Sequence, residues 1–137
     1  MAYVQTEYSV NNGRQNVKEL QATDLNIGSN QTTLVSGLNV IDFDSITLNF
    51  ATALPTGSAN YQVWGSIASG ARTTDPLTTA IAQGVSWFRI GDPETVVSGT
   101  STGKSFEVTD VKWIAITGSA DTAETGANVL IFAKSKS

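Results

Sequence analysis

Acidic groupings and one glycine-rich stretch are where this sequence offers chemistry. Asp92 and Glu94 lie two residues apart beyond Gly91. Such a carboxylate pair could act as the acid and base of a glycosidase, but that reaction needs carboxyls about 5–10 Å apart across a glycosidic bond. A spacing of two along the chain does not set that separation. Asp42 and Asp44 bracket Phe43 and could hold a metal or act as paired carboxylates, yet as turn formers between strands they need no such role. Asp121, Glu124 and Asn128 surround Gly126 and carry oxygens of the kind calcium accepts, although their order is not that of an EF-hand loop. Solvated loop acids are the plainer reading. The tail of the run 99–105, Gly103-Lys104-Ser105, echoes a phosphate-binding loop. The full pattern needs four residues between the first glycine and Gly-Lys-Ser, with a helix following. Here three residues separate Gly99 from Gly103 and a strand pattern follows, so the run reads as a flexible turn. No catalytic, cofactor-binding or metal-binding residue is assigned.

The residue types that are missing narrow the chemistry further. The chain has no His and no Cys. It therefore lacks the commonest general base and metal ligand at neutral pH, and Ser-His-Asp and Cys-His catalysis are excluded. Disulfides and thiolate metal sites are excluded with them. These absences lead to the expectation of a protein that is not an enzyme and uses no cofactor. The eight Lys and Arg are scattered and the net charge is −4. A nucleic-acid partner, which requires clustered cations to displace counterions, is not expected. No apolar run approaches the roughly 20 residues that cross a bilayer, and the first ten residues lack the order of a signal peptide. No membrane partner is expected, and synthesis is expected in the cytoplasm.

The aromatic residues offer recognition rather than catalysis. Trp64, Trp87 and Trp113, together with Tyr61, could stack on sugar rings or insert into a partner if exposed, or fill the core if buried. Trp64 and Trp113 are the surface candidates, because Ser and Thr flank them and other apolar residues occupy the opposite faces of their strands. Tyr3, Val4 and Tyr8, on the N-terminal segment, complete the candidate contacts to a protein partner or glycan.

The elements that must position these groups read as strands. Charged residues make up only 15% of the chain. Ser, Thr, Asn, Gln and Gly fill the surface instead, which suits strands and turns rather than helices. Residues 45–50 alternate, with Ile46, Leu48 and Phe50 inward against Thr47 and Asn49 outward. Residues 32–40 place Leu34, Leu38 and Val40 on one face. Residues 60–67 place Tyr61, Val63 and Ile67 on one face and Gln62 and Trp64 on the other. Further strands are expected at 85–90, 105–108, 111–117 and 128–134, with a brief pairing at 95–97. Turns are expected at 11–13, 54–57 and 91–93, and a loop at 98–103. In 128–134 both faces are apolar, with Val129, Ile131 and Ala133 against Leu130 and Phe132. Such a strand is central in a packed sheet, or its outer face meets a partner.

The long interruption at 68–84 fits either a loop or a helix over 77–83, capped by Asp75 and opened by Pro76. Residues 17–20 fit one helical turn. The expected fold is therefore all-β: a single antiparallel β-sandwich, jelly-roll-like, with an extended N-terminal segment. Residues 1–30 form an arm or edge strand, and residues 31–137 form the sandwich domain.

The order VWGSIASG (63–70), a long loop, VSWFRI (85–90), a Gly/Ser/Thr loop, GKSFEVTDVKWIAITGSA (103–120) and ANVLIFAKS (127–135) resembles small β-sandwich modules of tailed-bacteriophage virions. Such modules occur in decoration or cement, head-fibre, baseplate and tail proteins. The resemblance covers about residues 32–135, and the 68–84 insert is longer than in those modules. It implies a virion structural protein assembled in the host cytoplasm. Its partners would be other virion proteins of a capsid or tail shell, and it would form a homo-oligomer. The alternative is a tail-associated module that binds a glycan or receptor.

Overall fold

The computed structural model describes residues 4–12, 15–51, 57–68, 71, 76–77, 87–97, 100–121 and 124–134. They form nine strands: β1 (Val4–Asn12), β2 (Gln15–Ile27), β3 (Thr32–Asn39), β4 (Ser45–Ala51), β5 (Ser58–Ser66), β6 (Phe88–Val97), β7 (Ser101–Glu107), β8 (Trp113–Ala120) and β9 (Glu124–Lys134). Five strands make one sheet in the order β1-β2-β9-β4-β7, and four make the other in the order β3-β8-β5-β6. The pairs β2·β9, β3·β8, β4·β7 and β5·β6 are nested, each antiparallel. One long antiparallel ribbon is thus rolled up on itself, which is the jelly-roll topology. β1 extends the first sheet by one strand, pairing with β2 from Val4↔Thr23 to Asn12↔Gln15.

Alternation sets the core. Ile46, Leu48 and Phe50 of β4 are fully buried while Thr47 and Asn49 are exposed. Val129, Ile131 and Ala133 of β9 join them from the same sheet. The second sheet contributes Ala59, Tyr61 and Val63 of β5 and Ile114 and Ile116 of β8. On β3 the pairing with β8 shifts between Thr33 and Val35 and again between Val35 and Leu38. Val35 is therefore buried beside Leu34, as well as Leu38 and Val40.

Several expectations need correction. Residues 17–20 are strand, not a helical turn: they lie in β2, paired on both sides by β1 and β9. Two ladders of backbone hydrogen bonds outweigh a single helical turn, whose nucleation is unfavourable. Leu20 and Ile27 of this N-terminal part belong to the core. Ile67 does not share the inward face of Tyr61; it lies past the end of β5 and is exposed. Gly91-Asp92-Pro93 do not turn the chain. Tyr61 pairs with Glu94 and Val63 with Ile90, so β6 advances four residues while β5 advances two. The surplus forms a bulge within β6, where Gly91 takes φ +69°. A bulge on an edge strand also tolerates Pro93, whose missing N–H breaks no regular ladder. Residues 101–103, expected in a loop, begin β7. Beyond Leu77, the helix considered over 77–83 lies outside the described residues.

Candidate functional site

Residues of β5 and β8 that alternate with the core point to the other face of the four-stranded sheet: Gln62, Trp64 and Ser66 on one strand, Trp113, Ala115 and Thr117 on the other. They are nevertheless largely covered. Ser66, Ala115 and Thr117 are fully buried. Ala71 and Trp87, from the connection between β5 and β6, pack with Trp113 and Ala115 in a second apolar cluster, against which Trp64 and Ala68 also rest. The outer face of this sheet is thus roofed over part of its area.

Where this roof gives way, a cleft of about 280 Å³ opens. Its walls include Trp64, Gln62 and Asn60 of β5, Arg89 of β6, Gln31 before β3, and Leu77. Trp64 is half-buried; its Nε1–H donates to Thr117 Oγ1 at 2.9 Å, which fixes the ring on the sheet. The Arg89 guanidinium lies 5.5 Å from the Trp64 ring centroid. Gln62 is buried, and its Nε2 donates to the carbonyl oxygens of Val63 at 2.8 Å and Gly91 at 3.3 Å. Asn60 Oδ1 accepts from Thr95 Oγ1 at 2.8 Å, and Gln31 Nε2 donates to Ser119 Oγ at 3.1 Å. An apolar ring, a cation and amide groups line it.

The two tryptophans expected at the surface part company. Trp64 lines the cleft, whereas Trp113 is buried under Ala71 and Trp87. Its exposure was expected from its strand neighbours, but the covering segment comes from elsewhere in the chain. Tyr3 lies outside the described residues. Val4 and Tyr8 sit on β1, facing Thr23 and Glu19 in the register. Arg89 and Gln62, central to the cleft, were not singled out from the sequence. The pairing Trp64↔Arg89 sets Arg89 beside Trp64, whose face of β5 Gln62 shares.

Asp121 and Glu94 have partners for their carboxylates, and Asp44 is held through its backbone. Asp121 Oδ2 accepts from the Ser58 backbone N–H at 2.9 Å and from Ser58 Oγ at 3.4 Å. The Asp44 carbonyl accepts from Val108 N–H at 2.9 Å, and its own N–H donates to the Lys134 carbonyl at 3.0 Å. Glu94 is ion-paired with Lys104. The Glu94 hydrogen bond, aided by the charges of Glu94 and Asp92, holds the Lys104 ammonium above its ordinary value of 10.5 against the opposing effect of desolvation. Among the described residues no group of three or more Asp or Glu is placed to hold a metal ion. Gly103-Lys104-Ser105 is strand rather than a flexible turn, paired with Asn49, Leu48 and Thr47 of β4. The ladder to β4 holds this glycine-rich run extended.

No protein-family model matches the chain, and no curated protein matches it. Among solved structures, it is similar to a Bacillus endospore-appendage chain, described among disulfide-linked pili (14% identity, 100% of this chain and 93% of that one, TM-score 0.44). It is also similar to a chain of infectious bursal disease virus, Gx strain (15% identity, 89% of this chain and 32% of that one, TM-score 0.49). A third similar structure is the CBM22-1 xylan-binding domain of Paenibacillus barcinonensis Xyn10C (9% identity, 94% of this chain and 84% of that one, TM-score 0.43). The likeness is one of general architecture, and the phage resemblance rests on the sequence pattern.

Proposed function

We propose that this chain is a non-enzymatic structural subunit of a virion: a decoration or cement protein on the capsid or tail shell of a tailed phage. The observation that supports this most is the outer face of β9. This strand is interior to its sheet, between β2 and β4, and its inward residues fill the core. Its outward Leu130 and Phe132 stay 41% and 36% exposed. Two large apolar side chains spaced two apart on one strand make a surface that gains by being covered. Burial against a neighbouring subunit contributes about 25 cal/mol per Å² of apolar surface, part of which ordering costs offset. Repetition over a symmetric shell multiplies such contacts.

β1 supports a second contact. Among the described residues it pairs only on its β2 side. Its nine residues carry one charge, Glu7, and no proline. An edge of that composition accepts a further strand readily. Partners would be copies of the same chain and the shell proteins beneath.

Solution mass tests this reading. The full chain is expected to self-associate, and Leu130→Ser combined with Phe132→Ser is expected to give a folded protein that associates less. A variant lacking residues 1–13 is the second arm, reading out the edge. If the full chain and both variants are folded monomers that fail to bind capsid or tail shells, the structural reading fails.

A further inference from the structure

We propose that β1 pairs antiparallel with β1 of a second copy of this chain, Tyr8 opposite Tyr8, joining two five-stranded sheets into one of ten strands. This pairing rests on the reading of the chain as a shell subunit and names what covers its β1 edge.

Among the described residues the two sheets end in four edge strands, β1, β7, β3 and β6. Three of them carry features that discourage a further strand. β6 has Pro93 and the bulge at Gly91, which break up its row of backbone groups. β3 shifts register twice against β8, and its Gly37 takes φ +68°. β7 has Lys104, which is ion-paired with Glu94 of β6 from the other sheet. β1 has none of these features. Its nine residues pair with β2 in unbroken register, from Val4↔Thr23 to Asn12↔Gln15. That leaves about 30 Å of regular edge. Along it, every second residue turns its N–H and C=O away from β2.

The symmetry of this edge selects a second copy. In an antiparallel pair, a residue with outward backbone groups must face another of the same kind. With Tyr8 opposite Tyr8, Val4 meets Asn12, Gln5 meets Asn11, Thr6 meets Val10 and Glu7 meets Ser9. Odd residues face odd and even face even, so whichever set points outward is paired in full. Sliding the copies by two residues one way sets Glu7, the one charge of β1, opposite itself. Sliding them the other way leaves Val4 and Gln5 unpaired. Pairing with β7 of a neighbour would match nine residues with seven and leave an open chain of subunits, whereas a self-pair closes at two copies.

The pairing also serves assembly. Residues directly opposite in an antiparallel ladder share a face. Tyr8 faces Glu19, and Glu19 faces Phe132. The two copies therefore turn their Leu130 and Phe132 surfaces to the same side of the joined sheet, where one shell surface can cover both.

The chain has no Cys, so introduced thiols report only on each other. Tyr8→Cys would bring two Cα atoms within about 4.5–5.5 Å, inside the disulfide range. On mild oxidation it is expected to give a covalent dimer. Val4→Cys, with its two Cα atoms roughly 27 Å apart, is expected to stay unlinked. Ser9→Glu sets a carboxylate opposite Glu7 at two places in the dimer, while its own-chain register partner, Lys18, favours it. By sedimentation it is expected to weaken the dimer about 2- to 30-fold, and adding Glu7→Lys to restore it. Circular dichroism checks that each variant is folded. Tyr8→Cys linking no better than Val4→Cys, or a dimer indifferent to Ser9→Glu, overturns the β1 pairing. If the full chain then still associates through Leu130 and Phe132, or binds shells as a monomer, the pairing is overturned and the structural reading stands.

Discussion

The rings of Phe50 and Tyr61 stack across the sandwich, 4.3 Å between centroids and 15° between planes, one contributed by each sheet. Both residues are almost fully buried. The contact ties the end of β4 to the middle of β5 across the connection 52–57. Phe50→Ala and Tyr61→Ala are each expected to lower unfolding free energy by about 3–5 kcal/mol, as large cavities in a packed core do. In urea unfolding, the double variant should show a coupling of about 0.5–1.5 kcal/mol beyond additivity. Strict additivity would reduce the stack to burial of area alone.

Gly91 permits the bulge in β6. Its φ is +69°, and a Cβ there would come within 2.8 Å of the Phe106 ring. Gly91→Ala is expected to destabilise by about 1–3 kcal/mol, combining the left-handed backbone penalty with a forced shift of Phe106. Gly103→Ala is the control, because its Cβ would meet only the Leu48 carbonyl at 3.7 Å. That change should stay within about 0.5 kcal/mol by thermal denaturation.

Asp121 fastens the end of β8 to the start of β5 through Ser58. Asp121→Ala is expected to cost about 1–2 kcal/mol, because the Ser58 N–H loses a charged acceptor. Calcium added to the wild type should leave the melting temperature unchanged. A clear rise on adding calcium, abolished by Asp121→Ala, would restore the calcium reading of this loop.

The Glu94–Lys104 pair gives a pH signature with a defined sign. Lys104 is held above 10.5 in the fold by the Glu94 hydrogen bond, so its ammonium is favoured in the folded state. That contribution is complete below the unfolded value and is lost as pH rises through the raised folded value. Glu94→Gln should bring the Lys104 titration, followed by side-chain NMR, back toward 10.5. The wild type's stability margin over Glu94→Gln should shrink in the same alkaline range. An unchanged Lys104 titration in the variant would show that the ion pair does not persist in solution.

Much of the sandwich was legible in the chain because side-chain direction in a strand is a local matter. Ile46, Leu48 and Phe50 against Thr47 and Asn49 needed no knowledge of the partner strands. The two-faced apolar pattern of 128–134 left open a central strand or an outer face that meets a partner; the strand is interior to its sheet, and its outward Leu130 and Phe132 remain exposed. The missing His and Cys were equally plain, and with them the loss of whole classes of catalysis.

What the chain alone left open was decided by contacts distant in sequence. Trp64 and Trp113 look alike in their local setting, yet Trp113 is roofed by Ala71 and Trp87 while Trp64 opens onto the cleft. Residues 17–20 and 103–105 carry weak local preferences, and neighbouring strands drew both into ladders. The cleft gathers Gln31, Gln62 and Arg89 from three separate segments, a meeting set by register between β3, β8, β5 and β6. Period-two alternation determines which face a side chain takes, but only pairing register and the course of the covering segment determine whether that face meets water or a roof.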